Sequence, residues 1–143
     1  MKARIKRFDK KLPLPVYHTD GAAAFDLYAR ETVEIPPKEV RLVPLNVAIE
    51  TPPGYFLLLA ARSSTHKKGI ILANGIGIGD PDFSGDNDEY HAAYLNFTDE
   101  PVVVERGERI AQAMFIKFAK VEWREVEKMN KKTRGGFGST GIS

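Results

Sequence analysis

Cysteine is absent from the 143 residues, which excludes disulfides, thiolate zinc sites and a cysteine nucleophile and fits a reducing compartment. Long apolar runs are missing as well. No stretch approaches the ~18 residues needed to span a bilayer, and the opening residues lack the apolar core of a signal peptide. The expectation is therefore a cytoplasmic protein with no membrane partner. The net charge is only +2, too small for bulk electrostatics to drive nucleic-acid binding, so no such partner is expected. His18, His66 and His91 show no metal-ligand spacing and read as surface or packing residues.

What is present suits one domain, since 43% of residues are hydrophobic and 28% charged, an ordinary balance for a chain of this length. Short β-rich runs alternate with Pro and Gly. Thr32–Ile35 precedes Pro36-Pro37, Glu39–Val43 precedes Pro44, and Asn46–Glu50 precedes Pro52-Pro53. Tyr55–Ala60, Tyr90–Phe97, Val102–Glu105 and Met114–Phe118 follow. This spacing predicts an all-β sandwich or barrel with little helix, one turn around Ser64–Lys68 at most. The basic N-terminus alternates with Ala3 and Ile5, as a half-buried strand does. Residues 130–143 differ: four of these fourteen are glycine, and only Phe137 and Ile142 are large and apolar. Such a segment has too little apolar surface to fold alone and should order only over a ligand. The expected division is a β domain over 1–129 and a glycine-rich tail over 130–143.

Four segments carry residues suited to phosphate chemistry. In Arg134-Gly135-Gly136-Phe137-Gly138-Ser139-Thr140-Gly141 the glycines let successive N–H groups converge on one anion. Ser139 and Thr140 add hydroxyls, and Arg134 adds a planar cation. It is not a Walker A loop, and a flexible polar tail is the competing reading. Arg62, Ser63 and Ser64 follow the apolar Tyr55–Ala60 run, placing a cation and two hydroxyls on a turn; a helix cap is the plain alternative. Asn74 to Gly85 forms a turn region displaying Asp80 and Asp82 beside Phe83. Carboxylates there can activate water or support magnesium, or merely cap their own turn. The acidic Asp86–Glu89 run reads as a solvated loop, with a cation site as the alternative. In Gly107–Gln112, Glu108 and Arg109 read as a surface pair, with Gln112 free to face a ligand.

Taken in order, Ala24–Ala29, Arg62-Ser63-Ser64 with Lys68-Gly69-Ile70, the Asp80 segment, Gly107–Gln112 and Arg134–Gly141 resemble the five motifs of the trimeric dUTP pyrophosphatases (dUTPases). The match runs in register from about residue 20 to the C-terminus. The resemblance implies a β jelly-roll homotrimer with active sites at subunit junctions, which hydrolyses dUTP to dUMP and pyrophosphate with Mg2+. By that matching, Asp80 activates the water that attacks the α-phosphorus. Arg62, Ser63, Ser64 and Gln112 contact phosphates, while no side chain binds the metal directly and Asp26 supports its water shell. Asn74 and the strand backbone at Gly77 read the uracil edge. Arg134, Phe137, Gly138, Ser139 and Thr140 come from another subunit's tail, with Phe137 stacking on uracil.

The chain departs from the family pattern in four places. Phe83 stands for the tyrosine that packs on deoxyribose, Ala24 for a common glycine, and Ala61 for a frequent glycine or proline. The segment between Gly85 and Asn96 is longer than usual. Two rival readings share the fold. A dCTP deaminase requires a glutamate where this chain has Ala93, and a non-catalytic nucleotide-binding regulator has no need of Asp80.

Overall fold

The computed structural model describes residues 1–138. Eleven strands lie among them: β1 (Ile5–Arg7), β2 (Phe25–Tyr28), β3 (Val33–Ile35), β4 (Val40–Pro44), β5 (Val47–Ile49), β6 (Tyr55–Ala60), β7 (Ile70–Leu72), β8 (Gly77–Gly79), β9 (His91–Asn96), β10 (Val102–Val104) and β11 (Arg109–Lys117). Among the described residues the helical content is one 3₁₀ turn, Thr65–Lys68, and the all-β class expected from the sequence is what the chain adopts.

Two larger sheets carry the architecture, in the orders β2-β11-β6-β8 and β4-β9-β7, with the ribbons β1-β5 and β10-β3 beside them. Every pairing is antiparallel. Alternation along the strands turns Leu27, Leu57, Leu59, Ala111 and Ala113 of one sheet inward, where they meet Val43, Ile70, Leu72, Ala92 and Tyr94 of the other in one apolar cluster. Each fully buried Leu or Ile contributes ~1.5–3 kcal/mol, so the two inner faces hold the sheets together.

Three expectations need correction. β1 is not half-buried: Ile5 and Lys6 are exposed, because β5 takes the core side of that ribbon with all three of its residues buried. The acidic loop is not wholly solvated. Glu89 is buried and takes two hydrogen bonds from Arg30, at 2.7 and 2.9 Å, plus one from the Asn46 N–H at 2.9 Å. Paired in this way a carboxylate tolerates burial. Glu108 and Arg109 do not pair with each other. Glu108 accepts from Lys68 at 2.8 Å and Arg109, the first residue of β11, reaches Asp26 at 3.3 Å.

β11 ends at Lys117, and residues 118–138 contain neither strand nor helix. Phe118 is anchored by its N–H to Gly54 O at 3.0 Å and by its ring against Phe56. Beyond it Val121, Trp123 and Met129 are exposed, Trp123 at 88%.

Candidate active site

β7 belongs to one large sheet and β8 to the other, so residues 73–76 carry the chain across the gap between layers. Gly75 makes the crossing with φ +75°, its N–H bonded to Leu72 O at 3.1 Å. β8 then runs along β6, with Gly77 opposite Leu59 and Gly79 opposite Leu57. Among the described residues no strand lies on its other side, so one set of its backbone N–H and C=O groups faces outward. Along this edge lies a cleft of about 320 Å³ lined by Asn74, Gly77, Asp80, Phe83 and Tyr90. Four residues singled out from sequence, Asn74, Gly77, Asp80 and Phe83, are thus brought together. Asp80 is exposed and opens a turn closed by the Phe83 N–H on its carbonyl at 3.0 Å. Phe83 stands edge-on to Tyr90, centroids 5.2 Å apart at 70°.

A second group forms around β2, β11 and the end of β6. Gln112 is opposite both Asp26 and Ala60, so three strands put these residues in one row. The Asp26 carboxylate gathers three side chains: Arg62 Nε donates to Oδ1 at 3.2 Å, Arg109 Nη1 to Oδ2 at 3.3 Å, and His18 Nε2 lies 3.5 Å from Oδ2. Arg62 is further fixed by its N–H to Thr65 Oγ1 at 3.0 Å and by Nη1 to Arg109 O at 3.3 Å. One carboxylate shared by two guanidiniums leaves the cluster cationic, an anion-receptive surface. Ser63 and Ser64 are exposed on the adjoining turn. Ser64 occupies the cap position of the 3₁₀ turn without a side-chain capping bond. Gln112 donates to Ala61 O at 2.9 Å.

The two groups are not contiguous within one chain. Asp80 follows Gly79, opposite Leu57, whereas Arg62 lies beyond Ala60 at the other end of β6. From the Leu57 register to Arg62 that interval is ~16 Å of extended chain. Arg134, Phe137 and Gly138 are exposed, Phe137 completely, and belong to neither group. Ser139 and Thr140 lie outside the described residues. Sequence reading missed Tyr90 and the link from Asp26 to Arg109 and His18. Only the Gly107–Gln112 string hinted at Arg109.

A family model described as dUTPase matches residues 10–141 of this chain. The chain belongs to the dUTPase family. Among its relatives is the deoxyuridine 5'-triphosphate nucleotidohydrolase of Dictyoglomus turgidum, 39% identical over 145 residues that cover 96% of this chain and 97% of that protein. The enzyme of the same name from Hydrogenobaculum is 38% identical over 146 residues, 99% of each chain. Among solved structures, the dUTPase of Streptococcus mutans superposes with a TM-score of 0.76 at 32% identity, covering 83% of this chain and 98% of that one. The dUTPase of Staphylococcus bacteriophage 80alpha, crystallised with dUPNHPP, shares the fold with a TM-score of 0.85 at 23% identity, over 99% of both chains. As a dUTPase-family fold, the chain carries its Asp80 cleft and its Arg62–Gln112 row on the sheet formed by β2, β11, β6 and β8.

Among the described residues no group of three or more His, Asp or Glu side chains could hold a metal ion. This donor set fits magnesium only in the form it takes on a triphosphate, held mainly by phosphate oxygens and its own waters. Asp26, with both oxygens already accepting from arginines, keeps a second lone pair on each for a metal-bound water.

Proposed function

We propose that the chain hydrolyses dUTP to dUMP and pyrophosphate, with Asp80 as the general base. The observation that carries this reading is the cleft on the open edge of β8, where Asn74, Gly77, Asp80 and Phe83 converge. A free strand edge offers alternating N–H and C=O groups, the pattern that a uracil edge pairs with, while Phe83 offers a flat apolar face to the sugar. Asp80, exposed at the mouth, takes the proton of a water as that water attacks the α-phosphorus, and pyrophosphate leaves. Arg62 and Gln112, with Ser63 and Ser64, hold phosphate oxygens. Magnesium, when bound with the triphosphate, offsets its negative charge; Asp26 orients the metal's water shell.

The distance along β6 between Asp80 and Arg62 supports a site completed by another copy of the chain. On this reading the assembly is a homotrimer: one subunit supplies the Asp80 cleft, a second the Arg62–Gln112 row, and a tail from a neighbour closes over both. In that tail Phe137 stacks on the base while Arg134 and the N–H groups at Gly138, Ser139 and Thr140 grip phosphates. The exposed Val121, Trp123 and Met129 fit an arm that lies on a neighbour. The deaminase reading fails on chemistry, since the Ala93 methyl cannot move a proton.

Incubation with each deoxynucleoside triphosphate and magnesium, followed by product identification, tests the assignment. The expected result is dUMP and pyrophosphate from dUTP, with the other nucleotides left intact. An intact dUTP pool, or release of ammonia from dCTP, overturns it.

A further inference from the structure

One buried group in the cleft has no role in this chemistry. Tyr90 is 6% exposed, and its hydroxyl has no hydrogen-bond partner among the described residues. It fills the space beneath Gly79 that a side chain would otherwise occupy; a Cβ there would lie 2.2 Å from the Tyr90 oxygen. Burial first, and then the negative charges of Asp80 and Asp88, push this phenol up to about 12, so at neutral pH it remains a donor. A buried donor without an acceptor disfavours the folded state, so an acceptor is expected in another state of the protein. Most neighbouring acceptors are engaged. Asp88 Oδ2 takes the Gly85 N–H at 2.8 Å, Glu89 is occupied by Arg30 and Asn46, and His91 Nδ1 is 2.9 Å from Glu89 O. Among the described residues the Asp80 carboxylate has no hydrogen-bond or ion-pair partner, and it belongs to the residue that follows Gly79.

We propose that Tyr90 is a positioning residue for Asp80: when nucleotide closes the Asp80–Phe83 turn, the Tyr90 hydroxyl donates to the Asp80 carboxylate and holds it toward the attacking water. Phe83 couples the two events, because its ring lines the cleft and packs against the Tyr90 ring. A chain whose residue 83 lacks a phenol thus carries one seven residues further on, behind the base instead of over the sugar. The inference rests on the dUTP-hydrolysis reading.

The test compares wild type, Tyr90→Phe, Tyr90→Leu and Asp80→Asn for kcat and KM on dUTP, for binding of a non-hydrolysable dUTP analogue, and for Tm. Tyr90→Phe removes only the oxygen. It should keep or raise Tm, leave KM and analogue binding within about twofold, and lower kcat about tenfold, the size of one hydrogen bond to a charged group. Tyr90→Leu also removes the support of Phe83 and should raise KM in addition. An unchanged kcat in Tyr90→Phe overturns the proposal, as does a loss confined to KM or one that accompanies a lower Tm. If wild type hydrolyses dUTP and Asp80→Asn does not, an unchanged Tyr90→Phe removes this inference alone. If wild type leaves dUTP intact, both readings fall.

Discussion

Asp80 and Asp26 show how two similar carboxylates diverge through their surroundings. Asp26, its side chain 13% exposed, is held by Arg62 and Arg109, so its oxygens are fixed in direction. Asp80 is exposed and, among the described residues, unengaged, which leaves it free to accept a proton. Replacing Asp80 with Asn should keep nucleotide binding and lower turnover by ~10²–10⁴, as single-turnover and binding measurements will show. A near-normal rate would transfer the role to Asp82, which lines the neighbouring cleft with Phe56 and Phe118. On the proposed reading Phe83 meets the sugar with its ring alone. A 2′-hydroxyl packed against it without a partner costs ~1–3 kcal/mol, so kcat/KM should favour dUTP over UTP. Equal values for the two nucleotides would remove Phe83 from sugar selection. The roles of Asp80 and Phe83 are suggested by their motif. Glu89 is not readable in this way, because its partner Arg30 is 59 positions away and an acidic run looks solvated whatever it meets.

At the level of elements, legibility follows how much of the structure is local. β6 is readable because Tyr55–Ala60 is an unbroken apolar run bounded by Gly54 and Arg62, and β4 because its run ends at Pro44. β7 and β8 are not legible in the local pattern; only the family resemblance implies a strand at Gly77. Ile70–Leu72 is only three residues long, and Gly77-Ile78-Gly79 has two residues that disfavour strands. What makes β8 a strand is its pairing with β6, a long-range contact with no local signature. Its glycines have a spatial reason instead. A Cβ on Gly77 would meet Leu59 Cβ at 3.0 Å, and one on Gly79 would meet the Tyr90 ring and hydroxyl at 2.2–2.8 Å. Gly79→Ala should therefore displace Tyr90 or β8 and destabilise the protein by ~1–3 kcal/mol, read as a lower Tm together with weaker nucleotide binding. A variant as stable as wild type would show that the layer between β8 and Tyr90 is looser than these contacts require.

For the whole molecule, the sheet order decides what one chain can do alone. Composition and punctuation made the all-β class legible, and the motif order made the family legible. The separation of Asp80 from Arg62 along β6 was not legible, because it depends on antiparallel register. On the proposed reading that separation makes assembly part of the mechanism: a site that needs the base of one subunit and the tail of another can be rebuilt from two defective chains. The most direct measurement mixes Asp80→Asn chains with chains ending at Lys132, under conditions where subunit exchange is verified, and follows dUTP hydrolysis. Each variant alone should be nearly inactive, the first without its base and the second without Arg134, Phe137 and the glycine-rich N–H groups. The mixture should regain a substantial part of wild-type activity, from sites that pair an intact Asp80 with an intact tail. No recovery after confirmed exchange would contradict the shared site and return each tail to its own chain.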